Sequence, residues 1–345
     1  MIPATARILD ANANRAREAL RVLEDYARLG LNDASLAGSL KNLRHGLAAA
    51  LSPLDIQDAL CARDTPGDVG TVIKTEAELR RASLAEVVIA AGKRLSEALR
   101  VLEEIAKTTQ PAAAAQLETL RYQGYSIEQA LTRAALQAGR FAQVCLYVLL
   151  TEALCRRPWE ETLDAIIAGW KDGCAGRDGM GLAIQLREKS LPDGELLRRA
   201  RLLVERCRAG GGSGGGVIPV INDRPDIALL AGAGVHLGQG DLPAAEVRRL
   251  VGHEMVVGVS TENLTQAQEA VRQGATYVGV GPMFPTSTKE KPQIVGPAYA
   301  QEAVANLPVP CVAIGGITLE NLPQLMAVGV RCVAVCAAII TTDDP

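Results

Sequence analysis

Gln143-Val-Cys-Leu-Tyr-Val-Leu-Leu-Thr151 marks the point at which the chain changes its hydrophobic period. From here short β-branched runs alternate with helix-compatible stretches: 143–151, 180–187, 217–223, 234–239, 256–261, 277–284, 309–316 and 332–339. Each run but the last is followed by a helical pattern, and eight such units in roughly 200 residues is the count and size of a parallel (β/α)8 TIM barrel. The spacing predicts an α/β barrel over residues 139–345. A doubly wound sheet is the alternative, and it lacks the G-x-G-x-x-G turn expected after its first strand.

Upstream, residues 1–138 read as helix after helix. Leu9, Ala13, Ala16, Leu20, Leu23 and Ala27 recur at steps of four and three, one apolar stripe that needs a partner. The partner is internal, because Glu97-Ala-Leu-Arg-Val-Leu-Glu103 repeats Glu18-Ala-Leu-Arg-Val-Leu-Glu24 letter for letter. Two related helical hairpins packed as one all-α domain are expected. Between them Arg63-Asp-Thr-Pro-Gly-Asp-Val-Gly70 is either a hairpin connection or, with Arg21 and Arg100, a phosphate clamp. The chain has no G-x-x-x-x-G-K-[ST] loop.

Composition narrows the class. Lys plus Arg at 36 against Asp plus Glu at 39 gives a net charge of -3, and Trp 2, Tyr 6 and Phe 2 leave few stacking platforms, which argues against nucleic acid as a partner. No apolar run approaches the roughly 20 residues of a membrane span, and the N-terminus carries charges inside an amphipathic repeat rather than a signal peptide. Eight Cys without a C-x-x-C pair suit reduced, mostly core thiols. A cytoplasmic enzyme acting on small molecules is expected.

Barrel chemistry gathers at the C-terminal strand ends. In Ala183-Ile-Gln-Leu-Arg-Glu-Lys189 alternation puts Gln185, Arg187 and Lys189 on one face. Two cations converging on a barrel mouth call for an anion, a structural ion-pair cluster being the other reading. The third and fourth strands deliver Asp223 and Asp241 to the same rim. Either alone could be a helix N-cap; together they form a hard-oxygen site suited to Mg²⁺ carrying substrate phosphates. His236, between Val235 and Leu237, is taken as a packing residue. Thr286, Thr288 and Lys289 cluster after the sixth strand, and Gly315-Gly316 exposes backbone N–H groups where barrels bind phosphate. Two anion sites emerge, one with Mg²⁺, Asp223, Asp241, Arg187, Lys189 and Lys289, the other with Thr286, Thr288 and Gly316. They describe a transferase that joins two phosphorylated small molecules and expels pyrophosphate.

The joint pattern of Leu146-Tyr-Val-Leu-Leu-Thr151, Gln185-Leu-Arg-Glu-Lys189, Asn222-Asp-Arg224, Gly234-Val-His-Leu-Gly-Gln-Gly-Asp241, Gly258-Val-Ser-Thr261, Phe284-Pro-Thr-Ser-Thr-Lys289 and Ala313-Ile-Gly-Gly-Ile317 resembles thiamine phosphate synthase over about 143–340. The resemblance implies that an aminomethylpyrimidine diphosphate is joined to a carboxythiazole phosphate, giving thiamine phosphate, pyrophosphate and CO₂. By position it implies that Gln185, Arg187, Lys189, Asn222, Ser260 and Lys289 hold the pyrimidine diphosphate, with Arg187, Lys189, Ser260 and Lys289 in catalytic roles. It implies Asp223 and Asp241 for Mg²⁺, and Thr286, Thr288 and Gly316 for the thiazole phosphate. Ala337 stands where that family usually has Ser. The alternative within the fold, a thiazole tautomerase, uses a His after the fifth strand, where this chain has Ser260-Thr-Glu-Asn263. The helical half resembles a domain fused before some bacterial members, for which a phosphomethylpyrimidine kinase role has been proposed; a regulatory or docking module is the other reading.

A last expectation concerns Cys332-Val-Ala-Val-Cys-Ala-Ala-Ile-Ile340, apolar on both faces if it is one strand. With no room for an eighth helix, its cover would be the helix from 111 to 138 or a second subunit in a homo-oligomer.

Overall fold

The computed structural model describes residues 3–31, 33–54, 61, 63–68, 80–175, 179–210, 216–286, 293–343 and 345. It divides into two compact units, Met1–Leu136 and Gln137–Pro345.

The first unit is built from helices α1 (Pro3–Asp25), α2 (Ala34–Leu51), α3 (Leu84–Ala106) and α4 (Pro111–Ala142), the last continuing into the second unit. Caps set their starts: the Asp33 carboxylate accepts from the N–H groups of Ser35 and Leu36, and Ser83 accepts from the Glu86 N–H while Glu86 takes the N–H of Ala82. The repeated segments pack α1 on α3, burying Leu9, Leu20 and Leu23 in one core with Leu95, Leu99 and Leu102. The last Glu of each repeat is buried against an arginine of the helix that follows. Glu24 lies 3.3 Å from Arg44, and Glu103, whose side chain is 1% exposed, lies 2.8 Å from Arg121. Arg21, Arg63 and Arg100 are taken up by Glu24, Asp10 and Glu103 respectively, so within the described part of the 63–70 loop its cation is held by a carboxylate.

The second unit is the expected barrel. Strands β1 (Val144–Leu150), β2 (Gly181–Leu186), β3 (Val217–Asn222), β4 (Gly234–Leu237), β5 (Val257–Thr261), β6 (Tyr277–Val280), β7 (Cys311–Ile314) and β8 (Cys332–Val335) are all parallel and close in chain order, β1 pairing with both β2 and β8. Helices α5 (Trp159–Gly173), α6 (Asp193–Gly210), α7 (Pro225–Ala231), α8 (Ala244–Val251), α9 (Leu264–Arg272), α10 (Gly296–Asn306) and α11 (Leu322–Ala327) connect them. Period-two alternation sorts the strands into two cores. Ile184, Leu186, Val235 and Leu237 belong to the layer under the helices, whereas Tyr147, Ala183, Val220 and Tyr277 fill the interior. Phe141, at the end of α4, stacks on Tyr277 with ring centroids 4.0 Å apart.

The eighth strand differs from expectation. It ends at Val335, and Ala337–Ile340 turns into a short helix, α12, whose Ile340 is 1% exposed in the core beneath the helices. Arg156, after β1, donates its N–H to the Ile340 carbonyl and pairs with Asp343 at 2.8 Å. Rotation at Cys336 removes the second half of the two-faced apolar strand that was to be covered.

Candidate active site

The strand ends open into one cavity of about 810 Å³. From β2 come Gln185, Arg187 and Lys189; from the end of β3, Asn222 and Asp223; after β4, Asp241. Ser260 of β5, Thr286 after β6 and Gly316 after β7 complete the wall, so these nine residues share one space. Thr288 and Lys289 lie outside the described residues.

Asp223 holds its carboxylate at the rim by a left-handed backbone, φ 60, its own N–H donating to the His236 carbonyl at 2.8 Å. Asp is among the residues that bear this conformation at small cost. Neither carboxylate is a helix cap, since α7 starts from Arg224 and α8 from Pro243. Burial pushes the Asp223 carboxyl up, and the neighbouring Asp241 carboxylate adds to it, to about 6; the Asn222 amide and the Lys189 charge pull the other way. Asp241 accepts from the Gly238 N–H at 2.6 Å. A carboxylate whose proton affinity is raised by a second carboxylate beside it marks a ready place for a cation. Among the described residues no group of three or more His, Cys, Asp or Glu could hold a metal. The two carboxylates are hard-oxygen donors, the kind that suits Mg²⁺ when phosphate and water supply its other ligands.

The cavity floor corrects the reading of His236. Val235 and Leu237 face the helices, so alternation turns His236 inward, where it lines the cavity with Nδ1 2.8 Å from the Tyr277 hydroxyl and Nε2 2.8 Å from Ser260 Oγ. Below it Tyr147 donates to Gln185 at 3.1 Å, and Gln185 donates to Asn222 at 2.6 Å. The alternation used for β2 was the signal available for β4; for Tyr147 and Tyr277, apolar-looking in their runs, there was none.

At the far side Gly315 and Gly316 have φ 105 and φ 63, and a Cβ on Gly316 would lie 2.2 Å from the Pro285 carbonyl oxygen. Only glycine fits both the dihedral and the approach. Asn321 pins the turn by donating to the Gly316 carbonyl at 2.8 Å. Thr318 and Thr341 also line the cavity beside Ala337, two hydroxyls the sequence reading did not single out.

Fold and rim together define the class: a (β/α)8-barrel enzyme with its site at the C-terminal strand ends, lined for anionic small molecules. The family model for thiamine monophosphate synthase matches residues 146–339, and that of the ThiD2 family matches residues 7–130. A thiamine-phosphate synthase of Synechocystis sp. is 40% identical over 343 residues, covering 99% of this chain and 93% of the relative. One from Rhodopirellula baltica is 42% identical over 351 residues, 98% of this chain and 88% of its own. Among solved structures, a thiamine phosphate pyrophosphorylase from Pyrococcus furiosus superposes with a TM-score of 0.50 at 26% identity, covering 60% of this chain and 91% of the other. The chain belongs to the thiamine monophosphate synthase family.

Proposed function

We propose that the barrel joins an aminomethylpyrimidine diphosphate to a carboxythiazole phosphate, forming thiamine phosphate and releasing pyrophosphate and CO₂. Thiamine phosphate synthesis, a transferase reaction, is what the family membership carries. The observation that supports the residue assignment is the two-ended cavity, with Arg187, Lys189, Asp223 and Asp241 at one side and the Gly315-Gly316 backbone at the other.

Asp223 and Asp241 would hold Mg²⁺, and bound Mg²⁺ would neutralise charge on the diphosphate. Arg187 and Lys189 hold the same group and stabilise the negative charge that grows as the methylene C–O bond breaks heterolytically. Gln185, Asn222 and Ser260 orient the pyrimidine ring. The Gly316 backbone and Thr286 hold the thiazole phosphate so that the ring nitrogen donates its electron pair to the methylene carbon. Pyrophosphate leaves with the electrons of the broken bond, and the thiazole carboxylate departs as CO₂ while the bonding pair left on the ring carbon takes up a proton from solvent. By motif Lys289 joins the diphosphate side and Thr288 the thiazole side.

Residues 139–345 carry this chemistry in our reading, with 1–138 a separate helical module. No helix among the described residues is long and apolar enough to cross a membrane, and we place the enzyme in the cytoplasm with its metabolite substrates.

The test is incubation of the purified chain with both substrates and Mg²⁺. Thiamine phosphate and pyrophosphate in equal amounts are expected. Isomerisation of the thiazole phosphate alone, with no joined product, would replace this reading by the tautomerase.

A further inference from the structure

Beneath the cavity a continuous run of hydrogen bonds links the pyrimidine-side residues through groups that touch no substrate in the scheme above. It begins at Asn222, whose carbonyl accepts from the Gln185 NH₂ at 2.6 Å. Gln185 consequently presents its oxygen to Tyr147, which must donate its single hydroxyl proton there. The 2.8 Å contact between the two tyrosines then requires Tyr277 to donate to Tyr147. With its proton spent, Tyr277 can only accept from His236 Nδ1, 2.8 Å away, which makes Nδ1 the protonated nitrogen. Neutral His236 is left with a lone pair on Nε2, and the Ser260 hydroxyl donates to it at 2.8 Å. Each step as far as Nδ1 is forced by the one before, and the last follows for a neutral ring.

The run is built rather than incidental. Both tyrosines are fully buried, which keeps their phenols protonated and able to donate. Gly258 and Gly279 clear room for it: a Cβ on Gly258 would lie 2.0 Å from Tyr277 Cζ, and one on Gly279 would lie 3.3 Å from His236 Cε1.

We propose that Tyr147, Tyr277 and His236 are positioning residues that fix the direction of this relay. His236 is held as the neutral Nδ1–H tautomer, and Ser260 shows the cavity oxygen lone pairs rather than its proton. The site thereby selects a ring that carries an N–H donor at Ser260. Taking that ring to be the aminopyrimidine rests on the reaction proposed above; the direction of the relay does not.

The decisive measurement needs no substrate. The chain has three His, so the nitrogen spectrum of ¹⁵N-histidine-labelled protein, with His236→Gln to assign the signal, reports the His236 tautomer directly. A neutral ring protonated on Nδ1 is expected. A ring protonated on Nε2, or on both nitrogens, overturns the relay. Tyr277→Phe, close in shape, removes one acceptor and one donor. It should release the fixed tautomer, raise KM for the aminopyrimidine diphosphate roughly tenfold while leaving KM for the thiazole phosphate unchanged, and weaken discrimination against an analogue with oxygen in place of the amino group. A Tyr277→Phe protein with the wild-type tautomer and wild-type KM for both substrates overturns the positioning role. Failure of the wild-type chain to make thiamine phosphate would count against the proposed reaction alone, because the tautomer is read without it.

Discussion

Replacing Gly258 by Ala tests how tightly the barrel floor is packed, and the structure gives both the sign and the size of the effect. The new Cβ would lie 2.0 Å from Cζ and 2.4 Å from the hydroxyl oxygen of Tyr277. That ring is fully buried and stacked on Phe141, so it cannot yield without leaving the stack and its 2.8 Å bonds to Tyr147 and His236. Overpacking of this kind costs about 1–3 kcal/mol, and two lost hydrogen bonds add about 1 kcal/mol each, for a destabilisation of about 3–5 kcal/mol. At about 2–4 °C per kcal/mol for a unit of this size, thermal unfolding followed by near-ultraviolet circular dichroism should show a Tm lower by about 6–20 °C. An uncrowded strand glycine would behave oppositely, since Ala there stabilises by about 0.4–1 kcal/mol through the unfolded chain. In a Tyr277→Val background the ring is gone, and adding Gly258→Ala should cost less than about 1 kcal/mol. A Tm unchanged or raised in the single variant would refute the packing argument.

Three further outcomes are expected. The Asp223 carboxyl is raised from 3.8 to about 6, by burial first and then by Asp241; the folded state therefore holds this proton more tightly than the unfolded chain. Without Mg²⁺ its contribution to barrel stability falls as pH rises from about 4 to about 6, and Asp223→Asn should remove that slope, read as denaturation midpoints compared across this range; parallel profiles for the two proteins would contradict it. In the helical unit, burial pushes the Glu103 carboxyl up, but hydrogen bonds from Lys107 and Arg121 and the charges of Arg121 and Arg100 more than reverse this, leaving it below its ordinary value. Its stabilisation is thus present above the unfolded value of about 4.5 and lost as pH falls; Glu103→Gln should cost about 3 kcal/mol at neutral pH by stranding Arg121, with less difference from wild type in acid, as urea titrations would show. Arg248 donates to the carbonyls of Gly274, Gly252 and Met255 and to the Thr276 hydroxyl, all within 3.0 Å. Arg248→Ala should lower barrel stability by about 3 kcal/mol with KM for both substrates unchanged, because these contacts lie away from the cavity wall; a raised KM would show that they reach the site.

The eight apolar runs and the repeat at Glu18–Glu24 and Glu97–Glu103 were enough to determine the barrel, the helical bundle and the pairing of α1 with α3. These are questions of which face is apolar and at what period, and period is a local property of the chain. The rim residues Gln185, Arg187, Asp223 and Asp241 were legible for the same reason, since they end short strands whose direction the pattern sets. Tyr147 and Tyr277 were not legible, because they are 130 residues apart and meet only when β1 and β6 turn their inner faces into one closed interior. Whether Asp223 caps a helix or faces the rim depended on one backbone dihedral, φ 60, that no pattern encodes. The end of β8 turned on where the chain could bury Ile340, and the arginine that meets Glu103 on how α4 lies along α3. Periodicity assigns a residue to a face; only closure of the barrel or docking of a helix decides which distant group it meets there.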